Sequence, residues 1–236
     1  MGVIIPQVIT PSRATGGQVI DGSAKFNYSV NGYFLKRTFG SGNVNTWTFS
    51  CWVKRDGFSS TNYLFRTPST DEGFYLSNTD KIDVYRYTGS FTYLGSTIET
   101  YRDAGEFYHV VYKHDSTAAA GSRLNIYING VQQVINLTTD ISADTGYSLN
   151  SAVEHRLAEI DGRMCQAYFV DGQALGPEYF GFSDGLTNTW KPKKYEGTFG
   201  TNGFWLPMDG STPIGQDQSG QGNNWTPFRL GGSLEL

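Results

Sequence analysis

Hydrophobic and polar positions alternate along most of this chain. In NTWTFSCWVKRD (45–56), Trp47, Phe49, Cys51 and Val53 fall on one side, with Thr48, Ser50 and Lys54 on the other. A period of two predicts a β-strand with one buried face. Trp52 breaks that period, placing an indole on the polar side. FYHVVYKHD (107–115) is apolar and aromatic nearly throughout, as expected of a strand covered on both faces. RLNIYINGVQQVI (123–135) alternates through Leu124, Ile126 and Ile128, then reaches Asn129-Gly130, a strong signal for a tight hairpin turn. RLAEIDG and MCQAYFVDG each end in Asp-Gly. Asp161-Gly162 is expected to join the two runs as a hairpin, and Asp171-Gly172 to close the second.

Helical periodicity is scarce. SAVEHRLAEI (151–160) lacks a C-terminal stop and runs into a hairpin signal, while GPEYFGF (176–182) predicts one helical turn with Pro177 at its first position. Short strands with regular turn signals predict an all-β sandwich of two antiparallel sheets. The expected organisation is an N-terminal arm (1–22), one sandwich domain (23–230) and a C-terminal tail (231–236), with no internal boundary sharper than WKPKKYEG (190–197).

Composition supports this picture. Aromatic residues make up 15% of the 236 residues and charged ones only 17%, a mix that feeds a core and argues against disorder. The net charge of −4 argues against a broad nucleic-acid footprint, which needs a basic face. No apolar run approaches the ~18 residues of a membrane span. The opening MGVIIPQVITPSR lacks the pattern of a signal peptide. Cys51 and Cys165 both fall in strand-like runs; two buried thiols and one disulfide both remain open readings. Synthesis in a cytoplasm is the expectation.

Three segments, AKFNYSVNGYFLKRTFGSGNVNTWTFSCWVKRD, EFYHVVYKHDST and RLNIYINGVQQ, resemble in order the strands of laminin-G-like domains of the concanavalin A-like jelly-roll class. AYFVDGQALGPEYFG and YEGTFGTNGFWLPMDGSTPIGQDQSGQGNNWTP resemble versions of this domain found in virion proteins of tailed, often marine, bacteriophages. The resemblance spans about residues 24–228 and implies a concanavalin A-like jelly roll. It also implies a non-enzymatic virion structural protein, a tail fibre or appendage or a capsid decoration. Its partners would be other virion proteins and further copies of itself, with the arm as anchor. A glycan-binding module that recognises host surface polysaccharide is the rival reading, and a glycoside hydrolase the remote one. In ordinary modules of this group a D-x-S-G-x-G-N segment precedes the first core strand; here it follows the last. That displacement leads us to expect LPMDG (206–210) to pair beside the AKFNYSV strand, with DQSGQGNN turning after it.

Candidate chemistry is limited. Related laminarinase-like enzymes carry an E-x-D-x-(x)-E pattern, but Glu159-Ile160-Asp161 is followed by Gly162, Arg163 and Met164. No second glutamate stands where the acid/base belongs, so Asp161 reads as a turn residue and Glu159 as solvent-facing. Rim calcium is the implied metal of such folds, and Asp209, Asp217, Asn223 and Asn224 are its candidate ligands, with Asp115 a further one. The competing reading of Asp217 is an Asx-turn with glycines supplying positive φ. SGQGNN leads into Trp-Thr-Pro, so it is no phosphate cradle. His109, His114 and His155 lack metal spacing, and His109 reads as a satisfied core or interface residue. Tyr85, Tyr87, Phe91 and Tyr93 in KIDVYRYTGSFTYLGS are candidates for stacking on sugar rings. Tyr85 and Tyr87 share one face, with Arg86 on the other.

Overall fold

The computed structural model describes residues 17–58 and 60–230. The first strands are β1 (Ala24–Asn27), β2 (Phe34–Thr38), β3 (Thr46–Arg55), β4 (Asn62–Thr67), β5 (Glu72–Leu76) and β6 (Ile82–Tyr87). There follow β7 (Phe91–Thr97), β8 (Tyr108–Asp115), β9 (Leu124–Ile128), β10 (Val131–Gln132), β11 (Ile135–Thr139) and β12 (Glu154–Glu159). The chain closes with β13 (Asp161–Asp171), β14 (Gly181–Ser183), β15 (Trp190–Pro192), β16 (Phe204–Leu206) and β17 (Thr226–Phe228). Among the described residues, helix is confined to one turn at Tyr28–Asn31 and a 3₁₀ turn at Pro177–Tyr179, the latter where Pro177 predicts it. None of the described helices is long and apolar enough to cross a membrane.

Two large antiparallel sheets form the sandwich. One has seven strands in the order β1-β13-β3-β8-β9-β10, with β16 also on β13; the other has eight, β11-β7-β6-β5-β4-β12-β2-β17. Period-two alternation aims Trp47, Phe49, Cys51 and Val53 inward, each at most 1% exposed. They meet Phe65, Phe74 and Phe169, with Phe49 and Phe65 rings 5.2 Å apart. Each buried phenylalanine contributes about 2 kcal/mol by burial alone. A smaller cluster including Tyr168, Val170, Phe180 and Tyr195 lies on the far side of the seven-stranded sheet, where the β14–β15 hairpin packs.

Two local expectations are corrected. Asp161-Gly162 makes no hairpin: β12 belongs to the eight-stranded sheet and β13 to the seven-stranded one, so the chain there crosses between layers. Gly162 serves close approach instead, since a Cβ on it would stand 2.1 Å from the Lys54 carbonyl oxygen. The 206–210 segment does not pair with β1. β1 takes residues 161–164 of β13 and β16 takes 167–169, so the two short strands lie end to end along one edge. Asn129-Gly130, by contrast, closes a tight β9–β10 hairpin, with φ of 48° and 82°.

Within the expected arm, Gln18 bridges the β14–β15 hairpin and the seven-stranded sheet: its backbone N–H donates to the Pro192 carbonyl of β15 and its side-chain amide to Gln166 of β13. Residues 1–16 and the 231–236 tail lie outside the described residues. Cys51 and Cys165 are both buried free thiols, which decides between the two cysteine readings.

Candidate functional site

The outward face of the eight-stranded sheet carries a cleft of about 330 Å³ lined by Tyr63, Asp71, Tyr75, Tyr85, Tyr87 and Phe91. Alternation builds it. Glu72, Phe74 and Leu76 of β5 point inward, which leaves Tyr75 outward; Val84 of β6 points inward, which leaves Tyr85 and Tyr87 outward. The ladder sets Tyr63 opposite Tyr75, with their rings 5.1 Å apart, and the Tyr75 and Tyr85 rings meet edge to face at 5.6 Å. Tyr87 and Phe91 form the exposed rim, also edge to face at 5.2 Å, and are 41% and 53% exposed.

Polar groups fix this floor. The Tyr85 hydroxyl donates to Asp71 Oδ1 at 3.0 Å. Burial, together with neighbouring Tyr63 and Asp71, holds the Tyr85 phenol well above its ordinary pKa, so it stays a donor. Burial, with Asp83 beside it, likewise pushes Tyr75 up to about 12. Asp83 Oδ1 is buried with no hydrogen-bond partner among the described residues, an unmet acceptor next to the tyrosines. The Arg66 guanidinium lies over the Tyr63 ring, 4.3 Å from its centroid. Gly73 gives that side chain its place, since a Cβ there would stand 2.5 Å from Arg66 Cβ.

Tyr85, Tyr87 and Phe91 therefore converge, but Tyr93 does not join them. Phe91 and Tyr93 would share a face in a regular strand. Here Tyr87 pairs with Phe91 and Arg86 with Tyr93, so β7 carries one extra residue and the strand turns over between them. Tyr93 points into the core, 1% exposed, and donates to Glu72 Oε1 at 2.7 Å. Tyr63, Tyr75 and Asp71 escape sequence reading, because only the pairing of β4, β5 and β6 brings them together.

The candidate calcium ligands form a self-satisfied turn. Asp217 Oδ1 accepts from the backbone N–H groups of Trp205 and Ser219, and Oδ2 from the Ser219 hydroxyl and the Asn223 N–H, all at 2.8–2.9 Å. Asn224 Oδ1 accepts from the Asp217 N–H, and Asn223 Nδ2 donates to the Thr201 and Gly203 carbonyls. Asp209 and Asp115 accept from Ser211 and Thr117 in turns of their own. Four donors of the same chain face the Asp217 carboxylate, and Gly220 and Gly222 supply the positive φ of an Asx-type turn.

Glu159 corrects the expectation of a solvent-facing residue. It is fully buried, hydrogen-bonded by Arg66 Nε and, at 3.1 Å, by Arg156. Burial opposes the charge on Arg66, but the Glu159 hydrogen bond and charge outweigh it and raise the guanidinium pKa. Asp161 is engaged by the Ser29 N–H and the Ser60 hydroxyl. Each histidine has a structural setting: His155, for example, stacks on Phe39 at 3.8 Å. Burial lowers His109 and His155 to about 3 and His114 to about 4.

No curated protein matches this chain. Among solved structures, a protein from Bacteroides ovatus described as carbohydrate-binding superposes with a TM-score of 0.60 at 15% identity, over 89% of this chain and 58% of that one. The chain thus spans less than two thirds of that protein. A heptameric pentraxin from Limulus polyphemus aligns with a TM-score of 0.47 at 14% identity, over 67% of this chain and 79% of the other. Residues 29–176, well over half of the sequence, match the Laminin_G_3 family model, and the chain belongs to the concanavalin A-like lectin/glucanases superfamily.

Proposed function

We propose that this chain is a non-enzymatic, lectin-like module that binds glycans in the tyrosine cleft. The carrying observation is the cleft itself: aromatic rings exposed at its rim, a braced tyrosine floor, and Asp71 within it. Tyr87 and Phe91 offer faces to the C–H side of a pyranose, and Asp71 accepts from its hydroxyls. The carbohydrate-binding description of the Bacteroides ovatus protein fits this ligand class. Glu159 and Asp161 do not serve as a catalytic pair: Glu159 is held by two guanidinium groups and Asp161 by its own neighbours, whereas glycoside hydrolysis needs two carboxyl groups flanking one bond. A glycan array followed by titration of the hits tests the reading. Binding that Tyr87→Ala or Phe91→Ala weakens supports it, and no binding at millimolar sugar overturns it.

The likeness of 167–181 and 195–227 to phage virion domains supports a setting on a virion, as a tail appendage or capsid decoration. The module would be made in the host cytoplasm, assemble with other virion proteins and copies of itself, and meet host polysaccharide. A density map of an intact particle, searched for this jelly roll, tests the setting, and its absence from every layer overturns it.

A further inference from the structure

We propose a second carbohydrate-binding site on the opposite sheet, built on Trp52, so that the module holds a polysaccharide at two faces. The ligand class rests on the reading of the tyrosine cleft, but the site shares none of its residues. Trp52 is the residue that interrupts the alternation of β3. Its companions on that face are covered and bonded: the Thr48 hydroxyl donates to the Gln173 carbonyl at 2.7 Å, and Ser50 Oγ lies 2.8 Å from His109 Nε2. Trp52 is only half-buried. A serine or threonine would complete the pattern, so an indole left partly open at this point is a feature that packing does not require.

The indole rests on a rigid base. Its ring stacks on His109 with centroids 4.9 Å apart. Trp190 Nε1 donates to His109 Nδ1 at 2.9 Å, which leaves the imidazole proton on Nε2, facing Ser50. Trp190 is itself clamped between two glycines, for a Cβ at Gly130 or Gly181 would stand 2.5 Å from its ring. The imidazole cannot turn without breaking both bonds, so the face of Trp52 is preorganised.

Two clefts share this ring in their lining. One, of about 380 Å³, runs to the N-terminal stretch at Ile20 and Gly22; the other, of about 560 Å³, runs to Asn129, Asn188 and Thr189. Both volumes fall in the range of small-ligand sites, roughly 300–1,000 Å³. Asn129 Oδ1 accepts from the His109 N–H at 2.8 Å, which leaves its amide N–H₂ as the group for a ligand. The loop bearing Asn188 and Thr189 is set by Asp184, which accepts from Leu186 N–H at 2.8 Å and from the Lys191 ammonium. An apolar floor ringed by amides and hydroxyls on a fixed frame suits a pyranose, which stacks through its C–H face and bonds around its edge.

Titration of ¹⁵N-tryptophan-labelled protein with soluble malto-, cello- and manno-oligosaccharides tests the site. At least one series is expected to move the Trp52 indole N–H signal, in wild type and in Tyr87→Ala alike. Trp52→Ala should weaken retention on the matching long polysaccharide about tenfold, because two linked sites act by avidity. Trp52→Phe keeps a ring on His109 and should fall between, while an unchanged Trp190 indole signal reports an intact frame. Tyr87-dependent binding that leaves the Trp52 signal unmoved overturns the second site alone. No binding by any series overturns both sites.

Discussion

The Asp217 turn and the tyrosine cleft both carry residues suited to a ligand, yet the fold uses them in opposite ways. In the turn, both carboxylate oxygens are consumed by donors from the same chain. In the cleft, internal bonds go only to the floor, and the rim rings of Tyr87 and Phe91 stay exposed. A buried polar group that the chain itself satisfies stabilises the fold. An exposed aromatic pair that the chain leaves uncovered is available to something else.

Breaking the turn should therefore cost stability and leave binding alone. Asp217→Ala strips four donors of their acceptor and is expected to destabilise by about 3 kcal/mol. Denaturant unfolding measures it, and unchanged glycan affinity in the folded fraction completes the contrast. Acid separates the interior from the cleft next. Burial depresses His109 and His155 to about 3, so each disfavours the folded state once pH falls below its unfolded value near 6.5. By pH 5 each should have removed roughly 2 kcal/mol, and His155→Gln should flatten the pH–stability curve between 6.5 and 4. Tyr87→Ala is the mirror image of Asp217→Ala. It should weaken glycan binding about tenfold, or about 1.4 kcal/mol, while stability shifts by less than about 0.5 kcal/mol. The smallest effect belongs to metal. Calcium or a chelator should move the melting temperature by no more than about 1 °C, since the Asp217 oxygens already have partners. A clear calcium-dependent rise would break the comparison.

The sequence signals succeed where pairing is local and fail where it is not. Trp47, Phe49, Cys51 and Val53 show their inward face because a strand alternates whatever its neighbours are. Asn129-Gly130 shows its hairpin because the left-handed backbone there depends on the dipeptide alone. Asp161-Gly162 has the same look and another role, since nothing in the dipeptide says that the strands on either side join different sheets. Tyr93 is misplaced by one inserted residue in β7, a bulge that period counting does not see. Glu159 carries no local mark of burial; its two guanidinium partners come from β4 and from its own strand.

Residue types and their period of two thus determined an all-β sandwich, its inner faces and several of its turns, because those depend on steric preferences and burial along a single strand. Register, strand order and the crossing between sheets decided the rest. They set Tyr63, Tyr75 and Asp71 beside Tyr85, took Tyr93 away and closed the Asp217 turn on itself. Contacts between residues distant in sequence form only when the strands pair, so the cleft belongs to the folded chain.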